Sequence, residues 1–367
     1  MKNDLVYLFK TISTRLIVTA VVLLSVSVAF GQNTPPPESV APVQTIPVGM
    51  VSIAGPPIAF DPLSASDAAL ELYGYPPRPS PTSGDAYTNW QKLVAFPATR
   101  EIGTFQQTTI TNGPAIVSSS AAAVNGTVVS NSYNWSGYAI SAATGTFTVN
   151  NNYVFAEWTV PTAQQAFGTC DGTWWYSFEW DGFDGWGSND VLQAGTEADA
   201  KCSGGITSAF YSSWIEWYPF VEMRVTKPVA LPGDLIGVEV WYTTASPHGH
   251  AYLVNYTRLQ SASYAFNPPA GTVYKGNSVE WVEERPSVNG TLANLTNYVG
   301  EAFNKNYAYG NSKYYYPSST STGTIYNLRM ICPPWNPSTH CTATTILSTP
   351  YLYGVYALWF YNSGPSY

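Results

Sequence analysis

Leu235-Ile236-Gly237-Val238-Glu239-Val240-Trp241 alternates apolar residues with Gly and Glu around Val238 and Val240. Such alternation sends successive side chains to opposite faces of an extended chain, which is the signature of a β-strand. Short runs of similar character lie at 146–149, 154–160, 174–180, 214–217, 220–225, 251–256 and 351–361, each bounded by Gly, Asn, Asp or Pro. Strands of this length and spacing predict an all-β domain built as an antiparallel sandwich or barrel. No internal repeat is found.

The composition of the 367-residue chain agrees. Aromatics reach 15%, with 27 Tyr and 13 Trp, and charged residues are only 10%. Tyr, Trp, Thr and Val favour strands. Few Lys and Glu beside 29 Gly and 28 Pro argue against long helices. A formal charge of −8 excludes a basic nucleic-acid binder. A hydrophobic share of 45% excludes disorder throughout. Three His leave little material for His-based triads or metal sites.

Residues 1–31 read as a signal peptide. Lys2, Lys10 and Arg15 precede an apolar run over 16–30, and Ala29-Phe30-Gly31 supplies small residues for cleavage before Gln32. An uncut membrane anchor is the alternative. Export is expected, to a secreted or extracytoplasmic location, with no stable membrane association after cleavage. Residues 32–132 read as a Pro-rich linker and possible propeptide. Short helices are predicted over 66–73, capped by Ser64 or Ser66, and over 86–94, capped by Asp85. Residues 133–367 form the strand-rich domain. Four Cys in an exported chain predict two disulfides. The pairs nearest in sequence are Cys170–Cys202 and Cys332–Cys341. No Cys-x-x-Cys is present, and only His340 lies near a Cys pair, so no zinc site and no other metal is expected.

Four carboxylate–indole neighbours stand out: Glu157-Trp158, Glu179-Trp180-Asp181, Glu216-Trp217 and Glu280-Trp281. A carboxyl packed on an indole loses water and its pKa rises, which suits acid–base chemistry. Strand alternation allows a plainer arrangement, with Trp in the core and the carboxylate in solvent. His248-Gly249-His250 reads as surface strand or loop. Gly-x-Ser-x-Gly and the Asp-Thr/Ser-Gly of aspartic peptidases are absent.

Six motifs carry a resemblance. They are Asn134-Trp135-Ser136-Gly137, Glu157-Trp158-Thr159-Val160-Pro161, Trp180-Asp181-Gly182-Phe183-Asp184-Gly185, Leu192-Gln193-Ala194-Gly195, Trp214-Ile215-Glu216-Trp217-Tyr218-Pro219 and Glu280-Trp281-Val282-Glu283-Glu284. In this order they resemble the glutamic peptidases, or eqolisins. The resemblance implies a two-sheet antiparallel β-sandwich of the concanavalin-like type, preceded here by a partly helical extension. It implies a peptidase acting on protein or peptide substrates through Gln193 and Glu284, without a cofactor. It also places Trp135, Trp180, Asp184, Glu197 and Glu216 around that dyad, and it implies a leader that is removed, for which 32–132 is long enough. A monomer is expected.

Departures from the family pattern are Ala194, Asp181, Glu197 and Glu283. Parity favours Glu284 over its neighbour, because 280, 282 and 284 share one face of a strand. Two other readings stay open. One is a carbohydrate-binding or glycoside-hydrolysing sandwich, for which aromatics beside carboxylates would look the same. The other is an inactive peptidase-like binding domain.

Overall fold

Runs rich in Val, Tyr, Trp and Thr, separated by Gly- and Asn-bearing turns, fold into two antiparallel layers. The computed structural model describes residues 34–41 and 49–363, except 122, 124, 125, 150, 167, 321 and 335–344. These belong to one compact unit. The expected signal peptide lies outside the described residues.

Two helices come first, α1 (Asp67–Leu72) and α2 (Asp85–Val94). The strands that build the layers are β1 (Phe105–Gln107), β2 (Trp135–Ser141), β3 (Tyr153–Thr159), β4 (Phe178–Phe183), β5 (Val191–Ser203), β6 (Ile206–Tyr218), β7 (Met223–Val225), β8 (Leu235–Tyr242), β9 (Gly249–Asn255), β10 (Gln260–Phe266), β11 (Ser278–Glu284), β12 (Gly300–Gly310), β13 (Thr324–Ile331), β14 (Ile346–Tyr353) and β15 (Ala357–Asn362). The first layer runs β1-β7-β6-β5-β4-β11-β2-β13. The second runs β10-β9-β8-β3-β12-β15-β14, and β14 returns to β13. The layers are thus joined along one side. The fold is the expected all-β antiparallel sandwich.

Alternation decides what each layer buries. Ile140, Phe183, Leu192, Ile215 and Trp281 of the first layer meet Ala156, Trp158, Val238, Val240 and Leu253 of the second in the main core. The outer face of the second layer is covered as well. Tyr153, Phe155, Trp241, Tyr252 and Tyr307 pack there beneath Ala86 and Leu93 of α2. Each such side chain contributes about 1.5–3 kcal/mol when fully buried. Strands from the N-terminal segment join the sheets too. Val51–Ser52 pairs with β10, Thr99–Arg100 lies parallel to β10, and β1 pairs with β7.

Several local expectations differ. Residues 146–149 form a turn, because the hydroxyls of Thr146 and Thr148 donate to the carbonyls of Ala143 and Gly145 and bend the chain. The run 351–361 is a hairpin that reverses at Gly354, where φ is +64°. The cap of α2 is Gly84 rather than Asp85, while α1 starts at Ser66, whose hydroxyl accepts from the Ala69 amide. His250 is buried against Trp241, and loss of water lowers its pKa to about 4. Cys170 and Cys202 form a disulfide. Of the second expected pair, Cys341 lies outside the described residues.

Carboxylates are the unusual content of this sandwich. Sixteen acids follow Ser130, and fifteen are buried, Asp171 being the exception. The four carboxylate–indole pairs do not alternate core against solvent, because both faces of both layers are covered. Glu179, Glu283 and Glu301 meet inside the core, with oxygens within 4.8 Å of one another. Thr196 donates to Glu179 at 2.6 Å and receives the Trp158 indole N–H at 2.8 Å. Burial first, and the neighbouring carboxyls second, push all three well above the ordinary carboxylate range.

These groups are neutral in the folded chain and ionise near 4.5 when exposed. Their stabilisation is therefore complete below about pH 4.5 and is lost as pH rises towards the elevated folded values. Thermal melting followed from about pH 3 to about pH 8 should show Tm falling with pH, and Glu301→Gln should flatten the slope. A Tm that rises with pH over that range would contradict this account.

Candidate active site

Registers set the cleft face of the first layer. Gln193 on β5 lies opposite Gly182 on β4 and opposite Glu216 on β6. Glu284 on β11 lies opposite Phe178 on β4 and Trp135 on β2. Gln193, Glu216, Trp180, Trp214, Trp135 and Glu284 therefore share one face. Glu283 points the other way, into the core carboxyl cluster. Gly182 leaves room for this arrangement: a Cβ there would stand 2.5 Å from the Leu192 carbonyl and 2.9 Å from the Gln193 Cβ.

Glu284 is fully enclosed by partners. Its Oε1 accepts from Asn134 Nδ2 at 3.1 Å and its Oε2 from the Trp180 indole at 2.9 Å. Trp135 packs edge-on against Trp180, with ring centroids 5.0 Å apart. Burial pushes the Glu284 carboxyl well above the ordinary range, and the hydrogen bonds from Asn134 and Trp180 oppose that rise.

A segment ahead of the strand-rich domain crosses this face. The carbonyl of Asn112 accepts from Gln193 Nε2 at 2.5 Å. The backbone N–H and the side-chain amide of Asn112 donate to Glu216 Oε2 at 3.1 and 3.0 Å. Asn134 Nδ2 reaches the carbonyls of Gly113 and Pro114 at 3.4 and 3.2 Å. Ile110 sits fully buried in an apolar cluster with Tyr176, Phe178, Trp180 and Trp214. Backbone bonds tie the segment down at Thr108, Thr109, Ile110, Ala115 and Ile116. Beside Glu216 at the end of β6, an apolar recess of about 360 Å³ opens between Trp217, Phe220, Phe266 and Pro268.

The Gln193 carboxamide donates to the Asn112 carbonyl, and the Gly113 backbone N–H of the same peptide unit interacts with the Glu284 carboxyl. Such a pair can exchange a proton with water and donate to a carbonyl oxygen that gains charge. The model of the Peptidase A4 family matches residues 133–346. The chain belongs to that family. It is accordingly a peptide-bond hydrolase. Solved structures similar to it include scytalido-glutamic peptidase with a transition state analog inhibitor, at 19% identity and a TM-score of 0.48, over 63% of this chain and 98% of that one. SCP-B of the eqolisin family, in complex with the tripeptide Ala-Ile-His, is 18% identical with a TM-score of 0.44, over 63% and 98%. Aspergilloglutamic peptidase from Aspergillus niger is 22% identical with a TM-score of 0.41, over 51% and 99%. No curated protein matches the chain.

Within this Peptidase A4 chain, the other residues singled out from sequence divide into two groups. Trp135, Trp180 and Glu216 touch Glu284 or the crossing segment. Asp184 and Glu197 do not. Asp184 accepts from the amides of Lys275, Gly276 and Asn277 at 2.8–2.9 Å and anchors that loop. Glu197 is locked to Arg224 by two bonds of 2.6 and 2.8 Å, with Glu222 and Asp199 beside the same guanidinium. Asn112 and Ile110 carry no sequence signal of this placement, because their partners Gln193, Glu216 and Trp180 lie far along the chain. Asn134 was visible as the head of a motif, but its spacing gave no sign of a bond to Glu284. Among the described residues, one acidic group, Glu179 with Glu283 and Glu301, has oxygens close enough for a cation. It is sealed between the layers, and neutral carboxyls account for its spacing.

The Trp180 indole favours the charged form of Glu284. Removing it raises the Glu284 pKa further, so ionisation needs a higher pH. Trp180→Phe should shift the acid limb of kcat/KM for a peptide substrate upward by roughly one unit or less. An unmoved limb would show that this bond does not set the charge of Glu284.

Proposed function

We propose that this chain is a secreted glutamic endopeptidase that acts in acid, with Gln193 and Glu284 as its catalytic pair. The observation that carries the reading is that Gln193 Nε2 donates to the Asn112 carbonyl while the backbone N–H of Gly113, the other half of that peptide unit, interacts with the Glu284 carboxyl. Ionised Glu284 takes a proton from water as the water oxygen attacks the scissile carbonyl carbon, and later returns it to the leaving nitrogen. Gln193 Nε2 donates to the carbonyl oxygen as it becomes an oxyanion. Gln193 Oε1 is buried without a protein partner among the described residues, so it is an acceptor available to the attacking water. Asn134 and Trp180 hold the Glu284 carboxyl in position. No histidine or cofactor enters the scheme.

Acid action is consistent with the electrostatics. Burial beneath the crossing segment raises the Glu284 pKa. Opening the cleft returns water to the carboxyl and moves its pKa back towards the ordinary range, so the open enzyme ionises in acid. The neutral carboxyls inside the sandwich are compatible with the same conditions. Secretion rests on the leader at 1–31 and on the disulfide Cys170–Cys202.

Casein cleavage at about pH 3–4 tests the assignment. Glu284→Gln should lower kcat by roughly 10²–10⁴-fold, and Gln193→Ala by roughly 10²–10³-fold. Glu283→Gln, whose side chain faces the core, should keep kcat within a few-fold while altering the melting profile. Full activity in both Gln193→Ala and Glu284→Gln would overturn the dyad.

A further inference from the structure

The outer face of the second layer is roofed over most of its width and bare at one margin. Tyr153, Phe155, Trp241, Tyr252 and Tyr307 pack beneath α2, whereas the hairpin of β14 and β15 takes no part in that cluster. In the hairpin Leu347, Leu358 and Phe360 enter the main core. The alternate residues Tyr351, Tyr353, Trp359 and Tyr361 are between 41% and 66% exposed. Register sets Tyr351 opposite Trp359, and Tyr361 opposite Thr349 on one side and Gly300 on the other. The four rings therefore share one face, in a block about 13 Å long across two strands. A bare sheet face ordinarily carries polar side chains, and contiguous apolar exposure marks a binding surface. Gly300 shapes the block. A Cβ there would stand 2.6 Å from Trp359 Cζ2 and 3.2 Å from its Cε2, so the indole leans over β12 where only glycine leaves it room.

We propose that this face binds a neutral polysaccharide, whose sugar rings stack on Tyr351, Tyr353, Trp359 and Tyr361. Charge selects the ligand. Residues 346–363 contain no Asp, Glu, Lys, Arg or His. On β12, Gly300 and Ala302 continue the face, and Lys305 beyond them is bonded to Glu157 at 2.7 Å. The whole chain carries −8. Nucleic acid, anionic lipid and acidic glycan find no free cation on this face and meet a repelling net charge. A neutral glycan meets no such penalty.

The chemistry of the rings points the same way. A pyranose presents a sheet of C–H bonds, which the electron-rich face of a phenol or indole attracts. Hydroxyls around the sugar rim need hydrogen-bond partners, and the exposed phenols and indole carry such groups at their edges. Tyr and Trp also offer large rigid contact area at low cost in side-chain entropy. Gln193 and Glu284 lie on the outer face of the other layer. A chain held on a glycan by this hairpin therefore turns its cleft away from the bound surface. The proposal stands apart from the assignment of those two residues.

The experiment measures partition of the full chain onto microcrystalline cellulose, insoluble chitin and insoluble β-1,3-glucan. Polystyrene beads and anionic phospholipid vesicles serve as controls. Retention is expected on at least one glycan, above that on either control, and unchanged between about 0.05 M and about 0.5 M salt. Tyr351→Ala and Trp359→Ala should each weaken it by roughly 10-fold, the usual loss for one stacked ring. Gly300→Val should weaken it too, by displacing the indole, while Trp359→Tyr should keep most of it. Each variant should match the unaltered chain in circular dichroism and in casein cleavage. No retention on any glycan, undiminished retention when Tyr351 and Trp359 are both alanine, retention that falls with salt, or equal retention on a control would overturn the proposal. So would a dimer in native mass spectrometry that the double variant abolishes, since the face would then bury a second copy. Glycan retention without casein cleavage by the unaltered chain would instead sink the peptidase reading and leave this one standing.

Discussion

The molecule depends on keeping carboxyl groups uncharged in places that water does not reach. An ionised carboxylate without a partner is expensive to bury, and the group neutralises instead. In this chain that choice is made many times over. Glu179, Glu283 and Glu301 share one patch of core, Glu239 lies buried with both oxygens unpartnered, and Asp181 sits between the layers in the same condition. Basic residues are too few to neutralise them. Arg224 serves Glu197, Glu222 and Asp199 at once, and the buried Arg285 is spent on backbone carbonyls. Protons from the medium therefore take the part that salt bridges take elsewhere.

The same principle links stability to the cleft. Glu284 belongs chemically to the buried population, but its place on the outer face of the first layer exposes it to whatever lies above. While the segment from Thr108 to Ile116 covers it, Glu284 resembles the core carboxyls. Once uncovered, it would differ from them in having water. One residue type thus serves two ends, separated by a single step in strand parity between 283 and 284.

Much of this was legible in the sequence, and the reasons differ from part to part. Alternation over 235–241 and similar runs identified strands because one face of each meets the core. Parity over 280–284 placed Glu284 on the side of Val282 and Glu280, and the register to Phe178 and Trp135 shows the same division. The short helices are legible because Gly and Pro stops are local signals, and for α1 so is the Ser66 cap, whereas the cap of α2 is Gly84 and not the expected Asp85. What failed was whatever depended on distant chain. Residues 146–149 look like a strand until the hydroxyl bonds to Ala143 and Gly145 are seen. Asp184 and Glu197 lie in or near the right motifs, but loop 275–277 and Arg224 claim them. Asn112 gave no sign of itself, because its partner Gln193 is far along the chain. Short strands of the Pro-rich N-terminal segment pair with β10 and β7, and composition carries no information about which sheet edge a short strand will find.

One topological feature bears on when the molecule becomes able to act. Strand β2 is flanked by β11 on one side and β13 on the other, so residues near 135 wait for partners near 280 and 330. Pairings this distant in sequence form late and slowly. During synthesis the covering segment emerges long before Glu284, and Glu284 emerges before the strand that closes the layer beside it. A ribosome-bound chain therefore carries its own obstruction well ahead of any working cleft. Chronology alone shields a growing peptidase from its own activity, before pH or compartment has any influence.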